Sequence, residues 1–155
     1  MGRPHHVLFV CSGNICRSPM AEGLARAYAA ATRRSMEVRS AGTLGIIDHP
    51  ADSKAVAVCA EVGVDISGHL SQGLSEDLVS WADYVLVMEY GHARHLRDHY
   101  PEVGDDLLML GAFGGLFEIE DPIGSWKLKF RRSRDEIDRC VRAFVDRLPP
   151  EQPGE

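Results

Sequence analysis

The sequence predicts an α/β fold, a single-domain three-layer sandwich with a four-stranded parallel sheet and helices on both faces. Three observations predict it. Val7–Val10 and Tyr84–Met88 are short uninterrupted apolar runs, the pattern of strands buried on both faces. Such runs alternate with helical periodicities, which implies right-handed crossovers and a parallel sheet. The chain has 155 residues, 45% hydrophobic and 26% charged, enough for one core and one active site. The domain is expected over residues 1–150, with a disordered tail at 151–155.

The first strand ends at Cys11. After the polar stretch Ser12-Gly13-Asn14, Ser18-Pro19 reads as an N-cap followed by proline at the first helical position. Met20, Leu24, Ala27, Tyr28 and Ala31 then recur at helical spacing. Met36–Ser40 forms a second strand, and a long connection containing His49-Pro50 leads to a helix from about Ala51 to Val62, stopped by Gly63. Ser75 caps a further helix ahead of the strand Tyr84–Met88. His92–Tyr100 is helical, Leu107–Leu110 is the fourth strand, and 111–121 is a loop of undefined form. Ile137, Cys140, Val141, Phe144, Val145 and Leu148 make the apolar stripe of the last helix, which Pro149-Pro150 ends.

The net charge of −6 argues against a general affinity for nucleic acid or for an anionic membrane surface. No apolar run approaches the roughly 20 residues of a membrane span, and the first residues lack a signal-peptide core, so the default location is cytoplasmic. Four cysteines are too few for a disulfide scaffold at this length; a close pair such as Cys11 and Cys16 signals chemistry instead. Cys59 and Cys140 fall on apolar helix faces and read as core. His92, His95 and His99 share one helical face, read as exposed and polar rather than as a metal site, and His5 and His6 read as solvated.

The segment from Cys11 to Ser18 lies where open α/β sheets bind ligands, between a strand end and a helix N-terminus that favours anions. Cleavage of a phosphate monoester by cysteine needs a thiolate, a ring of donors for three oxygens and a planar cation. The helix N-terminus and Arg17 favour the thiolate of Cys11, and Arg17 offers a bidentate fork. Gly13 permits close backbone approach, Asn14 tolerates the left-handed conformation that turns N–H groups inward, and Ser18 can donate to the sulfur. With Ile15 and Cys16, these residues form a candidate phosphate loop. A buried structural thiol is the bland alternative for Cys11; Arg17 and the strand-loop-helix setting weigh against it.

The run from Val7 through Cys11-Ser12-Gly13-Asn14-Ile15-Cys16-Arg17-Ser18-Pro19 to Glu22 resembles the signature of the low-molecular-weight protein tyrosine phosphatase family. Ser40-Ala41-Gly42, the His69 region, Ala82-Asp83-Tyr84 with Met88, and Asp121-Pro122 extend the resemblance along the chain. It implies Cys11 as nucleophile, Arg17 as phosphate clamp and Asp121 as general acid and then base, in a two-step reaction through a cysteinyl phosphate that needs no metal or cofactor. It further implies that Asn14, Ser18, Ser40 and His69 support the loop, and that Cys16 can form a reversible disulfide with Cys11. The expected partners are a phosphorylated protein or peptide as substrate and inorganic phosphate as product and inhibitor.

The substrate wall is assigned to Ile15, Leu44, Ile46, Ile47 and Ile123; at Leu44, Ile46, Ile47 and Ile123 the chain departs from the family resemblance, whose phosphotyrosine-selective members carry aromatic residues there that sandwich the ring. The Asp121-Pro122-Ile123-Gly124-Ser125 stretch also resembles the bacterial branch that contains protein arginine phosphatases, in which a loop threonine accompanies phosphoarginine selectivity. Ile15 at that position favours phosphotyrosine, with phosphoarginine as the alternative. Two further readings, an arsenate reductase and an inactive phosphate- or phosphopeptide-binding module, rank lower: neither Cys59 nor Cys140 sits where a resolving cysteine is expected, and a binder has no use for a nucleophile.

Overall fold

The computed structural model describes residues 2–154. Four parallel strands, β1 (His5–Cys11), β2 (Met36–Gly42), β3 (Tyr84–Val87) and β4 (Leu107–Met109), lie in the order β2-β1-β3-β4. β1 is central, and its side chains alternate between two cores. Val7, Phe9 and Cys11 join the core shared with α1 (Arg17–Ala31), α2 (Ser53–Ala60) and α5 (Lys127–Asp146). Leu8 and Val10 join the one shared with α3 (Glu76–Trp81) and α4 (Tyr90–His99). Two apolar layers on one buried strand explain why Val7–Val10 reads as an unbroken apolar run.

Several boundaries differ from the sequence reading. α1 begins at Arg17, so Ser18 is inside the first turn instead of capping it, and among the described residues no side chain caps this helix. The Ser18 hydroxyl is engaged elsewhere, by Cys11 and Asn14. α2 is shorter than expected because Asp52 starts it, its carboxylate accepting the Lys54 N–H at 2.8 Å. Ser75 caps α3 as predicted, through the Leu78 N–H. β2 runs two residues past Ser40, while β4 stops at Met109 and gives way to a 3₁₀ turn over Leu110–Gly114.

Of the expected tail at 151–155, Glu155 lies outside the described residues, and Gln152 pairs with a residue near the start of the chain. Arg3 and Gln152 exchange two backbone hydrogen bonds, and the Ser35 N–H donates to the Pro150 carbonyl at 2.7 Å. The reading of His5 and His6 as solvated is also corrected. His5 is fully buried with Nε2 on the Pro149 carbonyl, and His6 stacks on Trp81. Both rings lie at the start of β1, which opens at His5 and sets them against the neighbouring segments. Among the described residues, no helix is long and apolar enough to cross a membrane.

Candidate active site

β1 delivers Cys11 to the carboxyl edge of the sheet, and six residues later the chain enters α1 at Arg17. β2 runs alongside, with Cys11 in register with Gly42. The Thr43 and Leu44 N–H groups donate to the carbonyls of Cys11 and Ser12. A Cβ at Gly42 would lie 2.6 Å from the Ser12 carbonyl oxygen, so only glycine lets β2 pass this close to the loop. Asn14 takes the left-handed conformation, with φ of 58°.

Asn14 is fully buried and every polar group of its side chain is used. Its Oδ1 accepts the Gln72 N–H at 3.0 Å, which fixes the amide orientation. Its Nδ2 therefore donates, to Ser18 Oγ at 2.8 Å and to Ser40 Oγ at 2.9 Å. Ser40 passes its own proton to Glu22 Oε1 at 2.6 Å. Ser18, having accepted from Asn14, has its proton left for Cys11 Sγ, 2.9 Å away. His69 Nε2 donates to the Asn14 carbonyl at 2.8 Å, and Gln72 Nε2 donates to the Ser40 carbonyl. The predicted support residues Asn14, Ser18, Ser40 and His69 thus form one connected network beneath Cys11.

Arg17 is 1% exposed, and a buried cation requires partners. Its Nη1 donates to Glu89 Oε2 at 2.5 Å and to the Ile119 carbonyl at 2.8 Å, while Nη2 lies 3.4 Å from Asp121 Oδ2. The Ile119 N–H in turn holds the Met88 carbonyl. Arg17 therefore anchors the 119–121 segment and sets Asp121 at the mouth of the loop. Asp121 Oδ1 also accepts the Ile123 N–H, closing a turn over Pro122. A narrow cavity of about 20 Å³ is walled by Cys11, Gly13, Ile15, Cys16, Arg17, Asp121 and Ile123. The Cys11 thiol and the Arg17 cation, close in sequence, meet at that cavity with the Asp121 carboxylate from a distant part of the chain.

Comparison with known proteins agrees with this geometry. The family model for low molecular weight phosphotyrosine protein phosphatase matches residues 6–153. The chain belongs to this family. It is 38% identical over 142 residues to a probable low molecular weight protein-tyrosine-phosphatase, EpsP, of Ralstonia nicotianae, covering 92% of this chain and 94% of that protein. It is 34% identical over 151 residues to a protein-arginine-phosphatase of Geobacillus stearothermophilus, covering 96% and 99%. A low molecular weight protein tyrosine phosphatase from T. tengcongensis superposes with a TM-score of 0.89 at 38% identity, over 93% of this chain and 99% of that one.

Within this low-molecular-weight phosphatase fold the loop carries two cysteines, Cys11 and Cys16. Both are free and buried, and burial, with the carboxylates of Asp52 and Asp121 and the neighbouring Cys11, pushes the Cys16 thiol far above its ordinary range, so it stays protonated. Burial also raises Cys59, to about 12, in keeping with its core position. Of the expected wall residues, Ile15 and Ile123 line the cavity, and Ile46 lies beside them against Gly13. Leu44 and Ile47 project into solvent. A larger groove of about 640 Å³, bordered by Glu22, Arg26, Arg39, Ser40, His69 and Gln72 among others, opens on the far side of the support network.

Sequence reasoning missed Glu22, Gln72, Glu89 and His92. Glu22 and Gln72 complete the network under the loop, and Glu89 is an ion-pair partner of Arg17. His92 corrects the reading of an exposed histidine face: it is buried, whereas His95 and His99 stack on each other outside. The signal was present in Ala93 and Leu96, which with His92 make the buried stripe of α4. Among the described residues, no group of three or more His, Cys, Asp or Glu side chains could hold a metal ion.

Proposed function

We propose that this chain hydrolyses phosphotyrosine in proteins, with Cys11 as nucleophile, Arg17 as phosphate clamp and Asp121 as proton donor and acceptor. The observation that carries this reading is the meeting of Cys11, Arg17 and Asp121 at one cavity, with the Ser18 hydroxyl proton aimed at the sulfur.

In the first step the Cys11 thiolate attacks phosphorus, the P–O bond to tyrosine breaks, and the Asp121 carboxyl gives its proton to the leaving oxygen. Arg17 and the amides at the start of α1 hold the phosphoryl oxygens, so the phosphate itself serves as the anionic cap that α1 otherwise lacks. In the second step Asp121 takes a proton from water, the water oxygen attacks phosphorus, the S–P bond breaks, and Cys11 returns as thiolate with inorganic phosphate as product. The Ser18 hydrogen bond stabilises sulfur as an anion at both ends of the cycle.

The aliphatic walls Ile15 and Ile123 support an apolar ring as the group next to the phosphate, and Ile15 favours phosphotyrosine over phosphoarginine. The substrate is a phosphorylated protein or peptide, and inorganic phosphate should inhibit as product. Replacement Cys11→Ser tests the assignment: turnover of p-nitrophenyl phosphate should vanish while phosphate binding persists. Retained turnover would remove Cys11 from the mechanism.

A further inference from the structure

The first turn of α4 carries a side chain that the reaction steps above leave unused. His92 is 5% exposed and bonded at both ring nitrogens. Its Nδ1 accepts the Glu89 backbone N–H at 3.1 Å, which puts the ring proton on Nε2. Nε2 then donates to Ser12 Oγ at 2.9 Å. Ser12 follows the nucleophile directly, and its hydroxyl oxygen lies 3.5 Å from Arg17 Nη2. Glu89, the residue His92 caps against, holds Arg17 Nη1. The same helical turn therefore grips Arg17 through Glu89 and the loop through His92.

A capping role alone does not account for this arrangement. An asparagine at position 92 would offer an acceptor to the Glu89 N–H without a ring to bury, and only a longer side chain reaches Ser12. The ring must also be neutral. A proton on Nδ1 would oppose the Glu89 N–H and set a second cation near Arg17; burial and Arg17 hold the imidazole down at about 4, so it is uncharged at neutral pH.

We infer that His92 is a positioning residue for phosphoryl transfer: its neutral imidazole, acting through the Ser12 hydroxyl, holds the start of the phosphate loop and the Arg17 guanidinium in the geometry that receives phosphate. The inference rests on the phosphatase reading of the site.

The test uses the full chain as wild type, His92→Asn, His92→Gln, Ser12→Ala and the Ser12→Ala/His92→Asn double variant. Each is assayed for p-nitrophenyl phosphate kinetics, inhibition by inorganic phosphate, and thermal unfolding. Asparagine keeps the acceptor at the Nδ1 position but falls short of Ser12, whereas glutamine brings an amide N–H to the place of Nε2. Loss of one buried hydrogen bond predicts about a tenfold fall in kcat/KM and in phosphate affinity for His92→Asn. Glutamine should recover most of it, although it weakens the helix cap and lowers the melting temperature. Ser12→Ala should match the asparagine loss, and the double variant should lose no more than either single one.

Unchanged phosphate inhibition in His92→Asn, no recovery in His92→Gln, or losses that multiply in the double variant would overturn the inference. Should the His92 variants unfold, Ser12→Ala decides, since it leaves α4 intact: a wild-type affinity for phosphate would sink the role. Failure of the wild type itself to turn over p-nitrophenyl phosphate or to be inhibited by phosphate would instead overturn the phosphatase reading.

Discussion

Replacing Asn14 separates the two things this residue does, holding a left-handed backbone and distributing hydrogen bonds. Asn14→Ala removes three side-chain hydrogen bonds, to Ser18, Ser40 and the Gln72 N–H, all at buried or half-buried positions. At about 1 kcal/mol net for each, the network share is about 3 kcal/mol. Alanine at φ of 58° adds about 1 kcal/mol of backbone strain, for a total of about 4 kcal/mol. Asn14→Gly relieves the strain but loses the same bonds, and its freer unfolded chain returns about 0.5–1 kcal/mol of the relief. Glycine should therefore be more stable than alanine by no more than about 1 kcal/mol.

Urea unfolding of both variants and the wild type measures these terms, and p-nitrophenyl phosphate turnover follows the consequence at sulfur. Without the Asn14 amide, Ser18 is no longer obliged to donate to Cys11, so kcat should fall in both variants while the fold persists, since a domain of this kind has about 5–15 kcal/mol in hand. A glycine variant that regained more than half of the alanine loss, or that kept wild-type kcat, would refute the reasoning. Asn14 would then be a turn residue and the network incidental.

Three other predictions concern single groups. Burial and Arg17 hold the His92 imidazole of the folded chain at about 4, against about 6.5 for a free imidazole, so the unfolded chain binds the extra proton first as pH falls. Stability should drop as pH is lowered from about 6.5 toward 4, by about 2–3 kcal/mol, and this slope should be missing in His92→Asn; parallel losses in both proteins would contradict a buried neutral ring. Asp121→Ala should slow phenyl phosphate more than p-nitrophenyl phosphate, because only the poorer leaving group depends on the proton, and equal slowing would speak against general-acid catalysis. Ile15→Thr should move the ratio of rates on phosphotyrosine and phosphoarginine peptides toward phosphoarginine; an unaltered ratio would remove Ile15 from substrate choice.

The parts of the site that were legible in the sequence are those written locally. An apolar run, a glycine, a residue tolerant of positive φ and a helical periodicity lie within 25 residues of one another, and each acts on its own backbone. The Ser75 cap and the α5 stripe were readable for the same reason. Glu22, Gln72, Glu89 and His92 were not, because each acquires its role from a neighbour about 18 to 80 residues away. The misplaced start of α1 has the same origin. Ser18-Pro19 is a sound capping signal in isolation, and it fails because Cys11 and Asn14 compete for the Ser18 hydroxyl.

The direction of the hydrogen bonds links these distant residues to the chemistry. From the Gln72 N–H through the Asn14 amide and the Ser18 hydroxyl, each group donates toward Cys11, and bonds aligned in this way polarise one another. The Ser40 branch ends on Glu22, whose other oxygen is paired with Arg26, so that carboxylate's charge is engaged away from the sulfur. On the opposite wall the Arg17 cation is shared among Glu89, Asp121 and the Ile119 carbonyl. A dianionic phosphate entering between them meets donors from both sides and competes with Asp121 for Nη2. On the proposed mechanism binding and proton placement are thereby coupled: the Arg17 clamp proposed to receive the phosphate also holds the Asp121 carboxyl proposed to protonate the leaving group. A change in loop geometry should consequently disturb KM and kcat together.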